Sequence, residues 1–178
     1  MPACVSVERE RPHHSWPKPV FAQNLQQFDG IYRNHSLDAI TGEAAKGGYD
    51  LFDHLTGKSH AHGERGKRLE LSSAPDGSAL HMRLFDLQNH EIDSATLQRG
   101  AAFRLSGGKL ILRGPLSGLR NLNSNWGPGV KSELDTLRLS TSGFLLGNTS
   151  ENDVAFLMAI IPTARTAKQS MCWPKLAN

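Results

Sequence analysis

His54, His60 and His62 fall within nine positions, and His60-x-His62 would share one face of an extended chain. Neutral imidazoles so spaced can ligate a transition metal. The same segment holds Gly57, Lys58, Gly63, Arg65 and Gly66, the composition of a basic loop, so no metal is assigned. Gly57-Lys58-Ser59 has the ending of a phosphate-binding loop, but the upstream glycine that loop requires is Phe52. No Gly-x-Ser-x-Gly occurs, and Cys4 and Cys172 sit near the two ends of the chain, so neither usual nucleophile has a visible scaffold. The acids are scattered, and sequence alone does not pair them into a dyad. No catalytic set and no cofactor emerges. The first reading is non-enzymatic, with an enzyme of unrecognised type left open.

The residues best suited to binding lie in 119–130. Asn121, Asn123 and Asn125 alternate before Trp126, and Gly127-Pro128-Gly129 follows. Three amides offer donors and acceptors, and the indole offers a flat apolar face. A loop of this length between strands often carries binding. The plainer alternative is that Trp126 caps the end of the fold while the asparagines satisfy turn backbone.

These residues must be positioned by a chain of 178 residues, long enough for one domain with a real core and no staples. Its net charge of +3 is mild and does not suggest nucleic acid as a partner. Much of the excess sits in 58–68, with Lys58, Arg65, Lys67 and Arg68 against Glu64, which reads as a solvated loop or a patch for an anionic partner. No apolar stretch is long enough for a membrane helix. Residues 1–20 carry Pro2, Pro12, Pro17 and Pro19 and read as a flexible lead-in or tether. Residues 21–178 read as a single β-barrel domain.

Within that domain the period is two. Leu69 and Leu71, then Leu80, Met82 and Leu84, then Phe103 and Leu105, then Leu110 and Leu112, then Leu137 and Leu139 mark apolar faces. Pro75-Asp76-Gly77, Gly107-Gly108 and Ser142-Gly143 supply turns. His90–Gln98 is a less regular strand, Phe144–Gly147 another, and Asn152-Asp153 turns into a last strand, 154–161, stopped by Pro162. Both faces of that last strand are apolar, so Trp16, Phe21 and Phe28 or a second subunit must cover it. The second choice makes the chain a homodimer. Two short helices precede the main run, one begun by Asn24 and one over Tyr49–Leu55 ended by Gly57. With Gly30–Arg33 the count is eight or nine strands, an all-β antiparallel meander expected to close as a barrel so that no edge is left exposed.

The run Phe28-Asp29-Gly30-Ile31-Tyr32 is similar to the start of lipocalin-type barrels, with Tyr32 where that family has Trp. The resemblance implies a barrel with an interior ligand site, and it makes Tyr32 a candidate ligand contact. Pro2-Ala3-Cys4 resembles the tail of a bacterial lipobox, and the short-strand spacing looks like that of proteobacterial lipoproteins with small β-barrel domains. That resemblance implies lipidation of Cys4 and a periplasmic or outer-membrane-anchored protein, touching the membrane only through the lipid. The other readings of Cys4 are a tail without function and a disulfide to Cys172. If translation starts at Met1, the protein is cytoplasmic. The expected function is a lipocalin-like envelope protein binding a small apolar or amphipathic ligand or an envelope partner; the alternative is an inhibitor or immunity-type protein acting through its loops.

Overall fold

The computed structural model describes residues 4–9, 15–37, 50–57, 65–113, 134–157 and 161–177. In chain order the elements are β1 (Cys4–Arg9), β2 (Pro19–Val20), a 3-10 turn (Leu25–Phe28), β3 (Gly30–Arg33), α1 (Leu51–Thr56), β4 (Arg68–Ser73), β5 (Ala79–Phe85), β6 (Glu91–Gln98), β7 (Phe103–Ser106), β8 (Lys109–Leu112), β9 (Leu134–Ser140), β10 (Leu145–Leu157) and β11 (Ile161–Trp173).

Local chemistry explains the joints. Asn24 caps the 3-10 turn by accepting from Gln27 N, and Gly57, at φ 70°, closes α1 in the left-handed region that glycine enters without strain. Gly107 and Gly108 both have positive φ, as a two-residue hairpin turn requires, and set Ser106 opposite Lys109 between β7 and β8. The turn before β5 is closed by Gly77 N donating to Ala74 O.

Two sheets result. One has the order β1-β11-β10-β9-β8-β7 with β2 against β9, and the other is β3-β4-β5-β6. Among the described residues every pairing between these strands is antiparallel except β1 on β11, so the all-β, antiparallel expectation holds. Beyond β11 the chain runs along the free edge of β3. Arg33 N donates to Pro174 O at 2.9 Å, Leu176 N to Ile31 O at 2.8 Å and Leu37 N to Cys172 O at 2.7 Å. The two sheets are thereby joined at one side. No closed barrel is found among the described residues, because β6 and β7 each end a sheet without pairing to one another.

A single apolar core lies between the layers. Leu69, Leu71, Leu80, Met82 and Leu84 enter it from β4 and β5, Phe103, Leu110, Leu137 and Leu145 from β7 to β10, and Trp173 from β11. Leu25, Phe28, Leu51, Phe52 and Leu55 cover one part of it from the 3-10 turn and α1. Each fully buried leucine contributes about 1.5–3 kcal/mol of transfer free energy, an upper figure for a real unfolded chain. The alternating apolar residues are buried throughout except for Leu105 and Leu112, which are only partly buried.

Three expectations are corrected. Asn152-Asp153 is no turn: both residues lie inside β10, opposite Thr166 and Arg165. Pro162 does not stop a strand but stands second in β11, opposite Phe156 and one residue before the pairing with β1 begins, where its missing N–H is least costly. A Cys4–Cys172 disulfide is incompatible with the register. Cys4 faces Thr163, nine residues and about 30 Å along β11 from Cys172, against a bridgeable Cα separation of about 7 Å. Cys172 is a free, buried thiol. Residues 4–9, within the stretch read as a lead-in, run as β1. Of the aromatics proposed to cover the last strand, Phe28 is buried in the core, whereas Phe21 is 69% exposed beside the Gly107-Gly108 turn. The side chains of 154–161, on which the homodimer expectation rests, lie outside the described residues.

Candidate functional site

Tyr32 is fully buried, and its hydroxyl donates to Phe28 O at 2.9 Å. Burial, and then the nearby Asp29 charge, push its phenol well above the usual tyrosine range. Its ring and hydroxyl are both occupied within the chain, where they tie β3 to the 3-10 turn. Asp29 extends that tie by accepting from Ser73 N at 2.8 Å and Ser73 Oγ at 3.0 Å, and its carbonyl accepts from Lys175 Nζ at 2.9 Å. Asn121, Asn123, Asn125 and Trp126 lie outside the described residues, as do His60 and His62. His54 is half-buried on α1. Cys4 has a described backbone at the start of β1 and no described side chain. Among the described residues no three His, Cys, Asp or Glu side chains group to hold a metal ion.

Two constellations escaped the sequence reading. The first is a buried polar junction between β3 and α1, where Asn34, Ser36, Asp50 and Asp53 are all nearly inaccessible. Asp50 precedes α1 but makes no side-chain cap bond, and Asn34 does that work from across the junction. Its Oδ1 accepts from Phe52 N at 3.0 Å, its carbonyl accepts from Leu51 N at 2.8 Å, and its Nδ2 donates to Gly66 O at 3.1 Å. Three chain segments are thus held by one amide. His35 faces Asp50, Nδ1 to Oδ1, with Asp50 almost wholly enclosed. Neither Asp50 Oδ1 nor His35 Nε2 has a hydrogen-bond partner of good geometry.

A carboxylate that orients an imidazole can serve proton transfer when a nucleophile stands at the other ring nitrogen. The buried cysteine of this region is a poor candidate for that part. Burial pushes the Cys172 thiol up to about 12, so it stays protonated at neutral pH and carries almost no nucleophilic thiolate. The junction reads as the clamp that seats α1 on the core.

The second constellation is the outer face of β3, β4, β5 and β6. Because Tyr32, Leu69, Met82 and Leu84 point inward, their neighbours Arg33, Arg68, Glu70, Arg83 and Phe85 point outward. Arg83 Nε donates to Glu91 Oε2 at 2.8 Å, and its Nη1 donates to Glu70 Oε2 at 3.2 Å. Those acids raise the Arg83 guanidinium further above its already high value, Glu91 most strongly. The Phe85 ring has Arg83 Cζ 5.0 Å from its centroid and Arg68 Cζ at 5.8 Å, both within cation–π range. His81 and Thr96 share a side-chain hydrogen bond of 3.0 Å farther along the same face. This arrangement can recognise charge and planar groups; it holds no set of groups for bond making.

No protein-family model, curated protein or solved structure matches the chain.

Proposed function

We propose that this is a non-enzymatic interaction protein that engages a protein partner through its surface and loops, with its β interior serving as a filled scaffold. The observation that carries this reading is the core itself. Trp173, Tyr32, Phe28, Phe52, Phe103 and a row of leucines, drawn from both sheets and both short helices, are fully buried against one another. A small β-barrel holds a ligand only where its side chains leave room for one. In this reading Trp126 and the asparagines before it belong to the recognition loop. Trp126→Ala would then weaken partner binding strongly and leave the melting midpoint unchanged. A large fall in the midpoint would instead make Trp126 part of the scaffold.

A second reading has its own observation. Ile92, Ala95, Leu97, Leu105 and Leu112 pack on the core while only partly buried, and they come from β6 and β7, which end the two sheets, and from β8 beside β7. Apolar surface there suits a lipocalin-like barrel, open between β6 and β7, that carries a small apolar ligand. The bonds from the chain end to β3 support such a wrap, which a β6–β7 ladder would complete. An envelope lipoprotein anchored at Cys4 belongs with this reading.

Native mass spectrometry of the full-length protein purified from its own host tests both. A bare polypeptide mass is expected for the surface-binding reading. A stoichiometric apolar molecule that leaves on denaturation would overturn it in favour of the carrier. A diacylglyceryl increment that Cys4→Ala removes would place the protein on a membrane.

A further inference from the structure

One corner of the outer face carries cations that folding leaves without acids. β3 and β4 run antiparallel with Arg33 directly opposite Arg68. Asn34 N donates across to Lys67 O, while Arg33 N points away from β4 and donates to Pro174 O. Arg33 and Arg68 are therefore the closer, non-hydrogen-bonded pair, with Cα atoms about 4.5 Å apart. Like charges placed opposite one another weaken a sheet. The neighbouring position shows the favourable choice, with Glu70 opposite Arg83.

Among the described residues the two acids of this face are taken by one arginine, since Glu70 and Glu91 each bond Arg83. Arg33 and Arg68 have no ion-pair partner among the described residues, and Arg68 Nε is buried with no hydrogen-bond partner at all. A buried donor left unsatisfied is costly, and it marks Arg68 as a cation whose hydrogen-bonding capacity is not used up within the described residues. Phe85, opposite Arg68 in register, lies within cation–π range of that guanidinium and limits its freedom.

We propose that Arg33 and Arg68, backed by Phe85, form a binding site for a carboxylate on an acidic segment of a protein partner. The inference rests on the surface-binding reading above and names the chemistry of the partner. Arg33 and Arg68 are rooted on adjacent strands at opposed positions, and two long guanidinium side chains so rooted can bracket a single carboxylate with paired N–H donors. Glu70 and Glu91 stand on the same face and would repel an extended polyanion such as nucleic acid or an anionic lipid plane. A lone carboxylate avoids them.

The test uses the full chain, isotopically labelled, with the arginine Nε–Hε signals followed by NMR during titration with an acetylated, amidated tetraglutamate peptide at low salt. Saturable shifts at Arg33 and Arg68 are expected, with affinity at least tenfold weaker in Arg33→Gln and in Arg68→Lys, which keeps the charge but loses the fork. The melting midpoint of Arg33→Gln should equal or exceed that of wild type, because a like-charge pair has been relieved. Absent shifts, unchanged affinity in Arg33→Gln, or a lowered midpoint for that variant would each overturn the site. Sedimentation with phosphatidylserine vesicles that Arg33→Gln abolishes would assign the cations to a membrane and overturn the protein-partner assignment. A null titration removes this site alone; the surface-binding reading falls only to a copurifying interior ligand.

Discussion

Along β4 and β5 one stretch of chain presents two surfaces of opposite character. Leu69, Leu71, Leu80, Met82 and Leu84 are buried to within 1% of complete enclosure, while Arg68, Glu70, His81, Arg83 and Phe85, the residues between them, face outward. The inner row belongs to the apolar core cluster, so its contribution scales with area and tolerates no gap. The outer row is held by directional contacts that water and salt can replace. The difference separates what holds the fold from what is free to recognise a partner, and single substitutions should sort by face rather than by position along the strand.

Trp173→Ala should have the largest effect, about 3–5 kcal/mol in urea unfolding, because the side chain is fully enclosed and stands opposite Leu145 in the longest hairpin. A loss of under about 1 kcal/mol would mean that the two sheets do not share one core. Next comes the sharpest form of the comparison, two adjacent residues of β5. Leu80→Ala should cost about 2–5 kcal/mol, whereas His81→Ala should change stability by about 0.5 kcal/mol or less. Equal costs, read in the same melts, would place the register one residue off.

An alkaline titration probes the inner region by another route. Burial raises the Cys172 thiol from 9.0 to about 12 in the folded chain. Below pH 9 the thiol is protonated in both states and stability is unaffected. Between pH 9 and about 12 the unfolded chain releases the proton and the folded chain keeps it, so stability falls by up to about 1.4 kcal/mol per pH unit. Cys172→Ala should flatten that part of the wild-type curve; parallel curves would show the thiol to be accessible. The smallest effect belongs to the outer face. Arg83→Gln should lower the melting midpoint slightly in dilute buffer and not at all in 1 M salt, where exposed ion pairs are screened. A shift that survives high salt would mean that Arg83 contributes through packing on Phe85.

Much of this architecture was legible because the signals are local. The leucine alternation of β4, β5, β8 and β9, the glycine pair of the β7–β8 turn, the Asn24 cap and the Gly57 stop each follow from the conformational preferences of a few neighbouring residues. The candidate site was less legible. Tyr32 was found, but as an expected ligand contact, whereas the structure encloses it and bonds its hydroxyl to Phe28 O. The Arg33–Arg68 pair and the His35–Asp50 contact were missed, since sequence separation hides residues that only strand pairing brings together.

The amino-acid sequence by itself determined which residues of each regular strand seek the core and where the tight turns fall, because burial and turn geometry are decided over a few residues. Only the tertiary structure decided the partners. Residues 163–170 are polar apart from Ala164 and Ala167 and show no apolar alternation, yet they form most of β11, because pairing with β10 satisfies their backbone irrespective of side-chain pattern. The same holds for the seating of the chain end along β3 and for the opposition of Arg33 to Arg68. Backbone hydrogen bonds are alike at every residue, so where no tight turn or apolar alternation fixes the register, the fit of the whole sheet must set it.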